Sequence, residues 1–155
     1  MNSPAAKTYC RLYYRIPFSE TDAMKIVHHT NHARYLERGR IEFLRLIGLD
    51  YVAIMKRGLH FPVTEMSVEF KKPLVFDEII VIETCISLLT RVRLNFGYKV
   101  YSVPELLAPS LSTVPFEGKP SFVGETFHCC VNDEGRPVEA GPEFHSILLP
   151  LFGEK

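Results

Sequence analysis

Residues 19–32 bring an acidic side chain and several histidines together, just before a segment of helical periodicity. Asp22 falls in a loop, and His28 and His29 directly precede the helix. A carboxylate beside a helix N-terminus suits attack on an activated carbonyl, because the helix end supplies free backbone N–H groups and a positive dipole. On spacing alone, however, the favoured interpretation of Asp22 is an Asx-turn, which is what most loop aspartates form.

The histidines of this stretch also invite interpretation as a metal site. His28 and His32 have the i,i+4 spacing that places two side chains on one helical face. No glutamate completes an HExxH motif, however, and the sequence offers no evident third ligand. We therefore expect no metal.

The composition argues against several classes of protein. A chain of 155 residues with zero formal net charge and 46% hydrophobic residues is typical of one soluble domain, so we predict a single domain over residues 1–155. The neutral charge argues against a nucleic-acid-binding protein, which would usually carry a basic stripe. We also expect no membrane span and no signal peptide, because no apolar run approaches the ~20 residues that a span needs. The four cysteines follow no CxxC spacing, which indicates reduced thiols in a cytoplasmic protein.

Hydrophobic periodicity predicts one strand, a long helix and then a series of strands. The first strand covers 8–16, and the helix runs from Thr30 to Ile47 with Thr30 or Asn31 as its N-cap. A helical turn is predicted at 50–58, and further strands at 60–71, 78–89, 91–101, 122–131 and 143–149. Gly39 on the apolar face of the helix indicates a close approach to a sheet. Hairpin-like links favour an antiparallel sheet with the helix packed across it.

The acidic loop and the helix start resemble those of the hotdog-fold acyl-CoA thioesterases, in the 4-hydroxybenzoyl-CoA thioesterase family. Thr21-Asp22-Ala23 matches the acidic motif of that family, and Ile26–His32 matches the positions that follow it. Further matches are Tyr35–Arg40, Phe61-Pro62-Val63, Phe76-Asp77-Glu78 and Gly124–His128, so the resemblance covers roughly residues 9–138. The chain departs from the family at Lys25, where glycine is usual. The resemblance implies an α+β hotdog fold, in which a curled antiparallel sheet wraps around one long central helix.

The resemblance also implies roles for individual residues. Asp22 is the expected catalytic carboxylate, either as nucleophile or as general base, and His29 is expected to stabilise the oxyanion through its backbone N–H. The expected substrate-binding residues are His28, Thr30, Thr64, Arg91 and Arg93. Of these, Thr64 is expected from its strand position rather than from the resemblance: it falls on the predicted inward face, where it could border the acyl pocket or be a packed core threonine. The two arginines, together with Lys71 and Lys72, could bind the phosphates of coenzyme A or belong to a solvated strand face.

The implied activity is hydrolysis of an acyl-CoA to the free acid and coenzyme A, with no metal, flavin or nucleotide cofactor. Family members pair their sheets into homodimers or homotetramers with the site at the subunit interface. Two alternatives stay open: a non-catalytic acyl-CoA-binding protein, and a hotdog enoyl-CoA hydratase or dehydratase. The sequence leaves the acyl group undetermined. The proline-broken segment 102–121 could line the pocket or extend an assembly contact.

Overall fold

The computed structural model describes residues 6–153, in which one six-stranded antiparallel sheet curls around a long helix. The elements are β1 (Tyr9–Arg15), α1 (Thr30–Leu46), α2 (Tyr51–Lys56), β2 (Val63–Phe70), β3 (Ile79–Leu89), β4 (Leu94–Val103), β5 (Ser110–Ser112), β6 (Phe122–His128) and α3 (Pro142–Phe152). The strands stand in the order β2-β6-β4-β3-β1-β5. The predicted α+β hotdog architecture is therefore confirmed.

Helix α1 packs against the centre of the sheet through a face that includes a glycine. Leu36 and Phe43 are fully buried on this face. A Cβ on Gly39 would lie 2.5 Å from the Thr84 hydroxyl and 2.8 Å from a methyl of Ile82, both on β3. Only a residue without a side chain fits such a gap, so the predicted close approach of the helix to the sheet is confirmed.

The outer face of the sheet, opposite α1, is partly covered by the segment after β4. Because Thr84 faces α1, the adjacent Glu83 points to the other side of β3. There its carboxylate lies 3.7 Å from the Arg11 guanidinium and accepts a 2.5 Å hydrogen bond from the Phe116 N–H. Burial raises the pKa of Glu83, and these two contacts oppose that rise. Segment 104–121 thus shields a buried ion pair.

A chain of buried hydrogen bonds also crosses the core. The carbonyl of Phe61 can only accept, so His128 carries its proton on Nδ1, which lies 2.9 Å from that oxygen. Nε2 of His128 then accepts from the Thr126 hydroxyl at 2.8 Å, and Thr126 accepts from the Tyr98 hydroxyl at 2.7 Å. Burial lowers the pKa of His128 to about 4, so the ring is neutral at physiological pH.

Two predicted features of the chain's later part are wrong. Residues 143–149 form part of helix α3 and not a strand. Phe144 and Leu148 are buried at helical i,i+4 spacing, and Pro142 suits the first helical turn because its missing N–H is not needed there. The segment 102–121, in which no strand was predicted, also contains β5, which pairs with β1.

Two local assignments also need correction. His29 occupies the N-cap position of α1, so the predicted capping by Thr30 or Asn31 is wrong. Arg91 and Arg93 lie before β4, in a turn that the Thr90 hydroxyl closes, and not within the predicted strand.

Candidate active site

Glu20 anchors the loop between β1 and α1. Its carboxylate accepts hydrogen bonds from the hydroxyls of Tyr14 at 2.8 Å and Tyr35 at 2.5 Å. Its backbone carbonyl accepts from the His28 N–H and from the Asn31 side chain, both at 2.9 Å. Burial is the main cause of the raised pKa of Tyr35, and the Glu20 carboxylate raises it further. The sequence analysis missed Glu20, since its tyrosine partners come from a strand and a helix whose packing the sequence does not show.

Asp22 lies in a tight turn within this loop. Its Oδ1 accepts a hydrogen bond from the Met24 N–H at 2.8 Å, so the Asx-turn interpretation describes one of its oxygens. Oδ2 has no hydrogen-bond partner among residues 6–153. Lys25 completes the turn with a φ of 63°, the left-handed region that glycine adopts without strain. The chain therefore keeps the backbone shape of the glycine that is usual here.

A cavity of about 420 Å³ lies beside Asp22. Its lining residues are Asp22, Ile26, Val27, His29, His32, Phe70, Lys71, Lys72, Pro73 and Leu74. The walls are mostly apolar, with one carboxylate, two imidazoles and two ammonium groups. The structure thus brings the two predicted catalytic residues, Asp22 and His29, to one cavity.

The N-terminus of α1 opens at this cavity with a free donor. The N–H groups of Asn31 and His32 donate to the carbonyls of His28 and His29. The N–H of His29 has no acceptor within the described part of the chain. A free N–H at the positive end of a 17-residue helix is suited to stabilising an oxyanion.

His28 and Thr30 contact each other at the helix start. Nδ1 of His28 lies 2.9 Å from the Thr30 hydroxyl, and the His28 ring packs 4.2 Å from the ring of His29. Neither residue lines the cavity. Both therefore support the position of His29 rather than the cavity wall.

The remaining predicted binding residues do not line the cavity within one chain. Thr64 is exposed and does not face inward as predicted. It belongs to β2, which is an edge strand, and α1 packs against β1 and β3 rather than against β2. The Arg91 guanidinium lies 3.6 Å from the Glu139 carboxylate, beside α3. The backbone of Arg93 forms an isolated antiparallel β-bridge with Cys129. The cations at the cavity are Lys71 and Lys72, which the sequence analysis had named only as further candidates.

His32 is part of the site in a way that its sequence position did not indicate. Its Nδ1 lies 3.2 Å from the His29 carbonyl, and its ring packs edge-on against Phe70 and Phe122, with centroids 4.7 Å away in both cases. Burial lowers the pKa of His32. Among residues 6–153, no three His, Cys, Asp or Glu side chains cluster as metal ligands would.

Comparisons with known proteins find similar sequences and similar structures. Residues 16–148 match the family model described as the thioesterase-like superfamily. The acyl-CoA thioester hydrolase YbgC of Escherichia coli O6:H1 is 29% identical over 107 residues, which are 69% of this chain and 77% of that protein. Protein TT1821 of Thermus thermophilus superposes with a TM-score of 0.78 at 30% identity, covering 91% of this chain and 98% of that one.

A DHNA-CoA thioesterase from Staphylococcus aureus shares the fold, with a TM-score of 0.77 at 23% identity, over 90% of this chain and 87% of that one. Within residues 6–153, no helix combines the length and hydropathy needed to cross a bilayer.

Proposed function

Because the chain belongs to the thioesterase-like superfamily, it is a thioester hydrolase, and we propose that Asp22 and the start of α1 carry out its reaction on acyl-CoA. The observation that supports this proposal is the single cavity lined by both Asp22 and His29. A thioester carbonyl between them would direct its oxygen at the free His29 N–H and its carbon at the carboxylate. Charge that develops on that oxygen is then stabilised by the helix end.

Two reaction courses fit this placement. In the first, an Asp22 oxygen bonds to the thioester carbon, the carbon–sulfur bond breaks and coenzyme A leaves as a thiolate that takes up a proton. Water then opens the resulting mixed anhydride. In the second, Asp22 removes a proton from a water molecule whose oxygen bonds to the same carbon. The carbon–sulfur bond then breaks, and the coenzyme A thiolate takes up the proton. Single-turnover hydrolysis in heavy-oxygen water tests the first course, since label in the Asp22 side chain requires the anhydride.

Lys71 and Lys72 are the groups we assign to the anionic part of coenzyme A in this chain. Lys71 forms an ion pair with Glu69, whereas Lys72 has no carboxylate within ion-pair distance in the described residues. An unpaired ammonium at the cavity provides a point charge for a phosphate. Arg91 and Arg93 would contribute only if they reach the cavity of another subunit.

We also propose that two copies pair along β2 in a homodimer, on which a homotetramer could build. This strand has a neighbour on one side only, and Val63, Met66 and Phe70 are each about half exposed. An apolar strand edge left open would pair with other chains without specificity, so a defined partner is expected. Sedimentation should give a dimer or tetramer, and an active monomer would contradict this. Cytoplasmic location and independence from cofactors stay predictions.

The decisive experiment is Asp22→Asn in a thiol-release assay over a panel of acyl-CoA substrates. We expect kcat to fall by about a hundredfold or more, because the substitution removes the nucleophile or base but not the fold. Asp77→Asn is the matched control, because it removes the same charge from a neighbouring loop. Within residues 6–153 the Asp77 carboxylate pairs only with Arg15, so kcat should be unchanged.

Near-normal turnover by Asp22→Asn would exclude the proposed role. Tight acyl-CoA binding without thiol release by the wild-type protein would favour the acyl-CoA-binding alternative. Hydration of an enoyl-CoA without thiol release would favour the hydratase alternative.

A further inference from the structure

His32 is a polar side chain held in an apolar part of the cavity wall. It is only 6% exposed, and it lies one helical turn after His29 on the same side of α1. Phe70 and Phe122 hold the ring from two sides. Burying an imidazole in such surroundings is unfavourable unless its nitrogens are bonded, so the bonding of each nitrogen matters.

The hydrogen bond to His29 determines which nitrogen carries the proton. A carbonyl oxygen can only accept, so Nδ1 of His32 is the protonated nitrogen and donates to it at 3.2 Å. Burial lowers the pKa of His32, which keeps the ring neutral near pH 7. Nε2 of the neutral ring therefore presents a lone pair and acts as an acceptor.

Nε2 has no donor of its own within the described residues. The fully buried side-chain atoms that lack a partner there are on Arg11, Arg40 and Thr84, and Nε2 of His32 is not among them. Nε2 therefore keeps some accessible surface, and the cavity is the space that His32 lines. His32 thus offers Nε2 as an unpaired neutral acceptor in the wall of the cavity that Lys71 and Lys72 also line.

We propose that His32 is a specificity-determining residue, whose Nε2 accepts a hydrogen bond from an O–H or N–H group of the thioester bound at Asp22. The inference rests on the proposed hydrolase function and adds to it a requirement on the substrate. His29 and His32 lie one helical turn apart on the same side of α1, so the donor must be on the bound thioester near the carbonyl whose oxygen contacts the His29 N–H. Two groups of a natural substrate satisfy this: a hydroxyl on the acyl chain, or an amide of the pantetheine arm.

The test compares pairs of substrates in which one member carries the donor group and the other lacks it. For the acyl source, the pairs are 3-hydroxybutanoyl-CoA with butanoyl-CoA and 4-hydroxybenzoyl-CoA with benzoyl-CoA. For the arm, the pair is the butanoyl thioester of N-acetylcysteamine with S-ethyl butanethioate, which lacks the amide. The ratio of kcat/KM within each pair is measured for wild type, His32→Phe and His32→Gln. Phenylalanine keeps the packing and removes the acceptor, whereas the glutamine amide oxygen can replace Nε2.

In each pair the ratio is kcat/KM with the donor divided by kcat/KM without it. We expect His32→Phe to lower this ratio about fivefold to tenfold in either the acyl pairs or the arm pair. The affected type of pair identifies which part of the substrate carries the donor. His32→Gln should retain most of the ratio. His145→Phe, in α3 and outside the cavity, is the control and should change nothing. If His32→Phe does not fold by circular dichroism, His32→Met provides the acceptor-free variant.

Unchanged ratios in both types of pair would overturn the assignment of His32 while leaving the hydrolase proposal intact. Failure of the hydrolase proposal looks different, because the wild type would then release no thiol from any substrate, or Asp22→Asn would remain active. In that case the proposed role of His32 would be excluded as well.

Discussion

The contact between α1 and β3 gives a sharp stability prediction for Gly39→Ala. The new Cβ would meet the Thr84 hydroxyl at 2.5 Å and the Ile82 methyl at 2.8 Å, both inside van der Waals contact. Alanine favours an isolated helix by about 1 kcal/mol over glycine. Overpacking a tight core costs up to about 3 kcal/mol, and two such contacts on a central strand place this site at the upper end. The net loss is therefore about 2 kcal/mol, or about 5 °C in Tm.

Urea unfolding at one fixed protein concentration measures this loss, since association would otherwise change the apparent stability. Gly97→Ala is the matched control, because the nearest atom to its new Cβ is 3.6 Å away, at ordinary contact distance. Thr84→Ala removes the hydroxyl that Gly39→Ala meets, so the double variant should recover about 1 kcal/mol relative to the sum of the single changes.

The reasoning fails if Gly39→Ala is as stable as wild type. It also fails if the loss is the same in the Thr84→Ala background. The first result would mean that the helix moves away from the sheet at little cost, and the second would mean that the Thr84 hydroxyl does not cause the loss. A loss of stability of the expected size should be accompanied by lower kcat, because the same helix carries the His29 N–H.

Three further predictions concern pH, backbone strain and the loop anchor. The pKa of His128 is about 4 in the fold against 6.5 ordinarily, so its contribution to stability is complete above pH 6.5 and is lost as pH falls toward 4. Urea unfolding at pH 7.5 and pH 5 should show about 2 kcal/mol of pH dependence that His128→Gln removes, and an unchanged dependence would refute the role. Lys25→Gly should raise the free energy of unfolding by up to about 1 kcal/mol, because glycine adopts the positive φ without strain. Lys25→Val should lower Tm, and a valine variant more stable than the glycine variant would contradict the presence of strain at this position. Glu20→Gln should lower kcat more than it changes KM, because it loosens the Asp22 loop while the cavity walls remain. An unaltered kcat in steady-state kinetics would exclude Glu20 as the anchor of that loop.

The parts of the fold that the sequence predicted are those with a strong local pattern. The apolar spacing of α1, with Gly39 on its buried face, indicates both the helix and its close contact with the sheet. The apolar residues that fall on both faces of β3 likewise indicate a strand buried on both sides. Asp22 and His29 were predicted as catalytic residues from the resemblance to the thioesterase family, since spacing alone favoured an Asx-turn for Asp22.

The parts that the sequence did not predict depend on distant contacts. The apolar residues of 143–149 fit either a strand or a helix, and packing of Phe144 against Phe61 decides for the helix. Three residues of β5 carry no periodicity of their own and form a strand only because β1 is beside them. The importance of Glu20 and His32 arises from tertiary contacts with Tyr35 and Phe70, which local patterns do not encode.

Segment 104–121 has a practical consequence for handling this protein. Its contacts with Arg11 and Glu83 lie on the opposite face of the sheet from α1, and none of its residues lines the cavity at Asp22. Residues 105–111 are exposed along their whole length. Exposed chain of this kind tolerates inserted sequence. An affinity tag or a fluorescent label placed at 105–108 should therefore report on the molecule in solution without obstructing access for thioesters.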